Sequence, residues 1–257
     1  MKKLLPFLLL LSLLLCACGG SDLIPPLPAV QNTEPVSTET MDLEEASAQT
    51  MEEPVVEFAI EDIYFSEGVY TDSIGNRYDY LLRIPAIRDS GDDAQRLSQE
   101  LYDKLYPYVQ DALDAMDGQY SLGVCRVDYT IYQNGDLCSL VARVDTDWGF
   151  SDYYAVNYDR AAHREADRVD MLSRYGLTEL MFLPLAADKV DELFQSSLGN
   201  IPRDDFWKQQ HDRSIAPENF REDCWLYADE ANNLCMIFKL YSLAGGDYYY
   251  HSLPIAP

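Results

Sequence analysis

Three histidines occur in the chain, His163, His211 and His251, and none stands at the His-x-x-x-His or His-x-His spacing that brings two imidazoles to one metal. No Cys-x-x-Cys, Gly-x-Ser-x-Gly elbow, Walker loop or Gly-x-Gly-x-x-Gly is present. Asp145-x-Asp147-x-Gly149 opens like a calcium loop. Its sixth and twelfth positions, which need Gly and Glu, hold Phe150 and Val156, so it reads as an acidic hairpin loop. His163 stands among Arg160, Arg164 and Arg168, the composition of a solvated turn. Asp204-Asp205 and Glu222-Asp223 could do acid–base work, but 44 acids give such pairs by chance. The expectation is no catalytic residue, no metal and no cofactor.

Aromatic clusters are the better lead. Trp148-Gly-Phe150, Tyr153-Tyr154 and Tyr248-Tyr249-Tyr250 could form a stacking surface for glycan or an anchor set for a protein partner. A strand sends alternate rings to opposite faces, so about half of these belong to a core. Tyr154 and Tyr249 are assigned there. Trp148 and Phe150, on a loop tip, are the leading surface candidates, joined by Tyr153, Tyr248 and Tyr250 as ligand-binding residues.

The chain starts with an address. Lys2-Lys3 precedes an apolar run from Leu4 to Leu15, too short for the roughly 20 helical residues that cross a bilayer. The run ends Leu15-Cys16-Ala17-Cys18-Gly19-Gly20, which resembles a bacterial lipoprotein signal. By that resemblance residues 1–17 are removed and Cys18 carries the lipid, anchoring the protein to the extracytoplasmic face of the cell membrane. The remaining 240 residues then hold 17 basic and 44 acidic side chains, a formal charge of −27. Such acidity excludes nucleic acid, whose phosphates need a basic surface. Residues 18–54 are rich in Pro, Ser, Thr and acids, and no Lys or Arg occurs between Leu4 and Asn76. They read as a disordered, self-repelling tether.

Residues 55–257 read as a single α+β domain with a mostly antiparallel sheet, packed by one long helix and a second helical segment. Val55–Tyr70 and Arg77–Ile87 form a long hairpin around Asp72-Ser73-Ile74-Gly75-Asn76, with pairing expected to stop at Pro85. Ala94, Leu97, Leu101, Leu105, Tyr108, Ala112 and Met116 make one helical stripe. Asp89 or Ser90 would cap that helix, Gly118 would stop it, and Pro107 would kink or split it. Asn134-Gly135 suits a two-residue type I′ turn, which would pair Cys125, Val127, Tyr129 and Ile131 with Val144, Ala142, Leu140 and Cys138. That face would pack inward and leave Arg126, Asp128, Thr130, Ser139 and Arg143 wet. A third strand spans Tyr153–Tyr158. Gly176–Leu198 reads as helical with a break at Pro184, and Phe206–Gln210 as a short helix. Cys224–Tyr227, Leu234–Ser242 and Tyr248–Pro254 close the chain as strands.

Of the four cysteines left after cleavage, that register places Cys125 and Cys138 too far apart to join. Cys224 and Cys235 could bridge the last hairpin, or all four could be buried thiols packed as small apolar groups.

Tyr80-Leu-Leu-Arg-Ile-Pro-Ala-Ile87, Asn157-Tyr158-Asp159, Cys224-Trp-Leu-Tyr-Ala-Asp229 and Leu234-Cys-Met-Ile-Phe-Lys-Leu-Tyr-Ser-Leu-Ala-Gly-Gly246 together resemble an uncharacterised envelope domain of Gram-positive bacteria. That domain forms the outer part of a lysozyme-sensing anti-sigma factor and an accessory half of some peptidoglycan deacetylases. The likeness spans roughly residues 60–256. Where the family often carries a Gly-Gly-Ala-His-type loop, this chain reads Asp147-Trp-Gly-Phe-Ser-Asp152. By that likeness the chain reads as the sensing or accessory module alone, on a lipid, without the sigma-binding segment or the deacetylase domain.

The resemblance implies a non-catalytic binding or sensing module for cell-wall glycan or for a cationic, lysozyme-like envelope protein. A peptidoglycan hydrolase with an unrecognised site, and a structural partner of a membrane complex, are the alternatives from other classes.

Overall fold

The computed structural model describes residues 57–147, 149–196, 202–222, 224–243 and 247–257. The signal segment, Cys18, the tether and Trp148 lie outside the described residues.

The fold is α+β, with two sheets. Strands β1 (Ala59–Thr71), β2 (Arg77–Arg88), β3 (Val124–Asn134), β4 (Leu137–Thr146), β5 (Ser151–Asp159) and β6 (Arg164–Glu165) form a six-stranded sheet in the order of the chain. Its pairs are antiparallel except β2 with β3, which run parallel because helix α1 (Asp92–Asp117) crosses between them. Four helices follow, α2 (Arg168–Arg174), α3 (Glu179–Ser196), α4 (Asp205–Ser214) and α5 (Pro217–Arg221). Strands β7 (Trp225–Ala228), β8 (Leu234–Tyr241) and β9 (Tyr248–Ala256) then make an antiparallel three-stranded sheet.

The α1 stripe is present with one change. Ala94, Leu97, Leu101, Leu105 and Ala112 are buried as expected, but Val109 takes the position assigned to Tyr108. Positions three and four residues on are both neighbours on a helix, and the aliphatic side chain went inward. Each buried Leu contributes about 1.5–3 kcal/mol, and these contacts hold α1 as one helix through Pro107. The N-cap is Gly91, with no side-chain cap, rather than Asp89 or Ser90. The Asp89 carboxylate instead meets His163 Nδ1 at 2.9 Å. Gly118 ends the helix, its N–H donating to the Asp114 carbonyl.

Two registers differ from expectation. The β1–β2 ladder does not stop at Pro85: it continues to Ala59↔Arg88, with Ile63 bulged out beside the Asp62↔Pro85 pair. The extra residue absorbs the missing proline donor. In the β3–β4 hairpin Ile131 faces Leu140, Tyr129 faces Ala142 and Val127 faces Val144, two residues away from the expected pairing. The turn is Gly135-Asp136, and only Gly135 has positive φ, the pattern of a type II′ turn. A slip of two keeps every side chain on its face, so the expected inward set survived.

The outer face of β4 is not wet at Ser139, which is fully buried, nor at Val141. The second sheet packs there, enclosing Val141, Ala155, Tyr227, Cys235 and Ile237. The opposite face of β8 sends Leu234, Met236, Phe238 and Leu240 into a core with Phe182, Val190 and Phe194 of α3. The second helical segment starts at Glu179 rather than Gly176 and runs through Pro184 unbroken, while α2 and α5 were not foreseen. No helix among the described residues is long and apolar enough to cross a membrane.

Candidate functional site

Strand β5 has an open flank. Its pairing with β6 is confined to Tyr158↔Glu165 and Asp159↔Arg164, which leaves Ser151–Val156 without a strand on that side among the described residues. A cleft of about 230 Å³ lies against this flank, closed by α1 on one side and by β7 and β9 on the other. Its walls are aromatic: Tyr108 from α1, Tyr153 and Tyr154 from β5, Trp225 from β7, Tyr248 and Tyr250 from β9.

These rings brace one another. Trp225 meets Tyr154 edge-on at 5.9 Å and Tyr250 at 5.4 Å, and Tyr248 meets Tyr250 at 5.5 Å. The Tyr108 hydroxyl donates to Asp152 Oδ2 at 2.8 Å, and that of Tyr154 to Glu100 Oε2 at 3.3 Å. Burial and then the neighbouring carboxylates push both phenols up to about 12, so at neutral pH they remain donors. Lys104, one turn before Tyr108, also lines the cleft.

Of the residues expected to bind ligand, the structure thus brings Tyr153, Tyr248 and Tyr250 together. Phe150 stands apart on the β4–β5 loop, 55% exposed. Tyr249, assigned to the core, is exposed, because β9 turns its neighbours into the cleft and this ring outward. Tyr154, also assigned to the core, does pack against it, half-buried, and lines the cleft as well. Tyr108 and Trp225 were missed. The signal for Tyr108 was its place at the edge of the α1 stripe, four residues after Lys104.

Burial pushes the Cys138 thiol up to about 11 and those of Cys224 and Cys235 to about 12, so none is a thiolate nucleophile at neutral pH. All four described cysteines are free. Cys235 pairs with Tyr227, three residues and one face away from Cys224, which prevents a bridge between them. Asp145 is engaged by Arg143 and Ser151. No cluster of three metal-ligating side chains occurs among the described residues.

No family model and no curated protein matches the chain. Among solved structures, one from Pseudomonas aeruginosa PAO1 is similar at 15% identity and a TM-score of 0.41, over 78% of this chain and 91% of that one. Another, from Bacteroides fragilis NCTC 9343, is similar at 10% identity and a TM-score of 0.38, over 79% of this chain and 91% of that one. Both are DUF3298 family proteins.

Proposed function

We propose that the chain is a lipid-anchored lipoprotein of the extracytoplasmic membrane face whose folded part binds a saccharide segment of the cell-wall glycan and does not transform it. The observation that carries this reading is the cleft beside β5, with six aromatic side chains, one carboxylate and one ammonium on its walls. Pyranose rings have apolar faces that stack on such rings, and their hydroxyls need a few fixed polar partners. The signal-like Leu15–Cys18 segment supports the anchor, and an acidic tether would carry the domain clear of the bilayer.

Calorimetric titration of the full chain with soluble wall-glycan fragments tests this. Tyr153→Ala and Tyr250→Ala should each weaken binding about tenfold, worth about 1.4 kcal/mol, while fragment masses stay unchanged on incubation. Full affinity in both variants would remove the cleft from the function, and shortened fragments would favour the hydrolase alternative.

A second reading has its own support. The formal charge of −27 left after removal of residues 1–17 would steer a cationic wall-active protein to the domain, and the lysozyme-sensing resemblance points the same way. Such binding should weaken steeply with salt.

A further inference from the structure

Strand β1 stands at the end of the six-stranded sheet and pairs with β2 alone. The Asp72 N–H donates to the Asn76 carbonyl at 3.0 Å, in register with the ladder below it, which fixes the side to which each residue turns its backbone groups. Hydrogen-bonded and non-hydrogen-bonded pairs alternate along an antiparallel ladder, so Tyr70, Gly68, Ser66 and Tyr64 bond to β2. The N–H and C=O groups of Val69, Glu67 and Phe65 then point away from it, and no other strand reaches them among the described residues. Tyr64 and Tyr70 pack against the core, which puts the side chains of Phe65, Glu67 and Val69 on the opposite face. Phe65 and Val69 are 55% and 49% exposed there.

Proteins commonly blunt such an edge with Pro, Lys or an irregularity. Strand β1 contains neither Pro nor Lys, and its bulge lies at Ile63, before this stretch. Outward backbone groups between two exposed apolar side chains form a template for strand addition.

Glu67 decides what kind of strand fits. It lies between Phe65 and Val69, faces Leu81 on β2 and makes no ion pair among the described residues. The bases beside it on β2 and β3 are engaged, Arg83 by Asp62 and Asp128, and Arg126 by Asp128. Arg77 is unpaired but stands opposite Thr71, about 14 Å further along the strand. Asp79, opposite Val69, adds a second acid without an ion pair. In an added strand the residue directly across from Glu67 would sit about 5.5 Å away, where an opposite charge stabilises and a like charge destabilises. A second copy of the chain would bring the same net negative charge, so a basic strand is favoured over a copy.

We propose that the free edge of β1 receives an extended segment of a partner protein, antiparallel to β1, with an apolar-x-basic-x-apolar pattern set opposite Val69, Glu67 and Phe65. This site is independent of the cleft and gives a cationic partner a place to join the molecule.

A blocked peptide, Thr-Val-Thr-Lys-Thr-Val-Thr, titrated into the full chain at physiological salt tests it, beside a form with Glu in place of Lys and a form with both valine amides N-methylated. The Lys peptide should bind about fivefold more tightly than the Glu peptide, and Glu67→Lys should reverse that order. The methylated peptide lacks two of the donors that would meet β1 and should not bind. If the Lys peptide does not bind, if methylation changes nothing, or if Glu67→Lys leaves the order as it was, the edge is not the site, while the saccharide and cationic-partner readings stand. Sedimentation of the full chain covers the remaining occupant. A dimer that Val69→Pro converts to monomer, by removing an outward N–H and none that bonds to β2, would assign the edge to a second copy and overturn the proposal.

Discussion

Ser139 and Asn157 stand opposite each other across β4 and β5, and between them they hold the second sheet. The Ser139 hydroxyl donates to Asn157 Oδ1 at 2.6 Å and accepts from the Ala228 N–H at 3.0 Å, while Asn157 Nδ2 donates to the Leu226 carbonyl at 2.8 Å. Two backbone groups of β7 are thus satisfied by side chains of another sheet. Asn157→Leu or Ser139→Ala would each leave buried groups unpaired, and each should cost about 1–3 kcal/mol. Because they share one network, the double variant should lose less than the sum. Denaturant midpoints measure this, and strict additivity would mean the two act separately.

Gly91 packs under the His163 carbonyl, where an added Cβ would overlap that oxygen and crowd the Tyr158 hydroxyl. Neither neighbour is the free end of a flexible chain. Gly91→Ala should therefore destabilise the protein by about 1–3 kcal/mol, a loss visible in the thermal midpoint.

At Gly135 the turn requires φ of +61°. Gly135→Val places a β-branched residue in the left-handed region and should cost on the order of 1–3 kcal/mol in chemical denaturation. An unchanged midpoint would mean that another residue carries the turn.

His251 gives the fold a pH dependence near neutrality. It lies half-buried on β9, edge-on to Phe238 at 6.0 Å, and burial pulls its pKa below the usual 6.5. The unfolded chain then takes up the proton first as the pH falls, so the contribution is complete above about 6.5 and declines as the pH drops through the lowered folded value. Urea midpoints of the parent should fall between pH 7.5 and 5.5 by more than those of His251→Phe. Parallel pH curves would assign the dependence to other groups.

The anchor is testable without the folded part. Cys18→Ala should leave the protein unprocessed or release it from membranes, and it should abolish uptake of labelled fatty acid. A variant that fractionates like the parent, from a parent that takes up no label, would end the lipoprotein assignment.

Local periodicity made α1 and the inward set of β3 and β4 legible, since a slip of two residues preserves the faces. It could not show the burial of Ser139 and Val141, because a second sheet far along the chain covers them. The same distinction runs through the cleft. Tyr153, Tyr248 and Tyr250 stood out as clustered rings, whereas Tyr108 resembled a core residue and Trp225 an ordinary strand aromatic until β7 was laid beside β5. The turn at Asp72–Asn76 was legible in its composition, but not the bonding that Asp72 and Asp229 share. Each accepts from the N–H two residues on, and from both the N–H and the side chain of an Asn four residues on, which closes a β1–β2 turn and a β7–β8 turn in the same way.

The strict chain order of the six strands bears on how the molecule assembles. Each strand of that sheet finds its partner in the element just before it, apart from the step from β2 to β3, which waits only for α1. Loop closure in such a sheet costs little entropy, and contact order stays low for a β-rich protein. A chain delivered N-terminus first would always meet a template already in place, and β7–β9 would dock last onto a surface that Ser139 and Asn157 had finished.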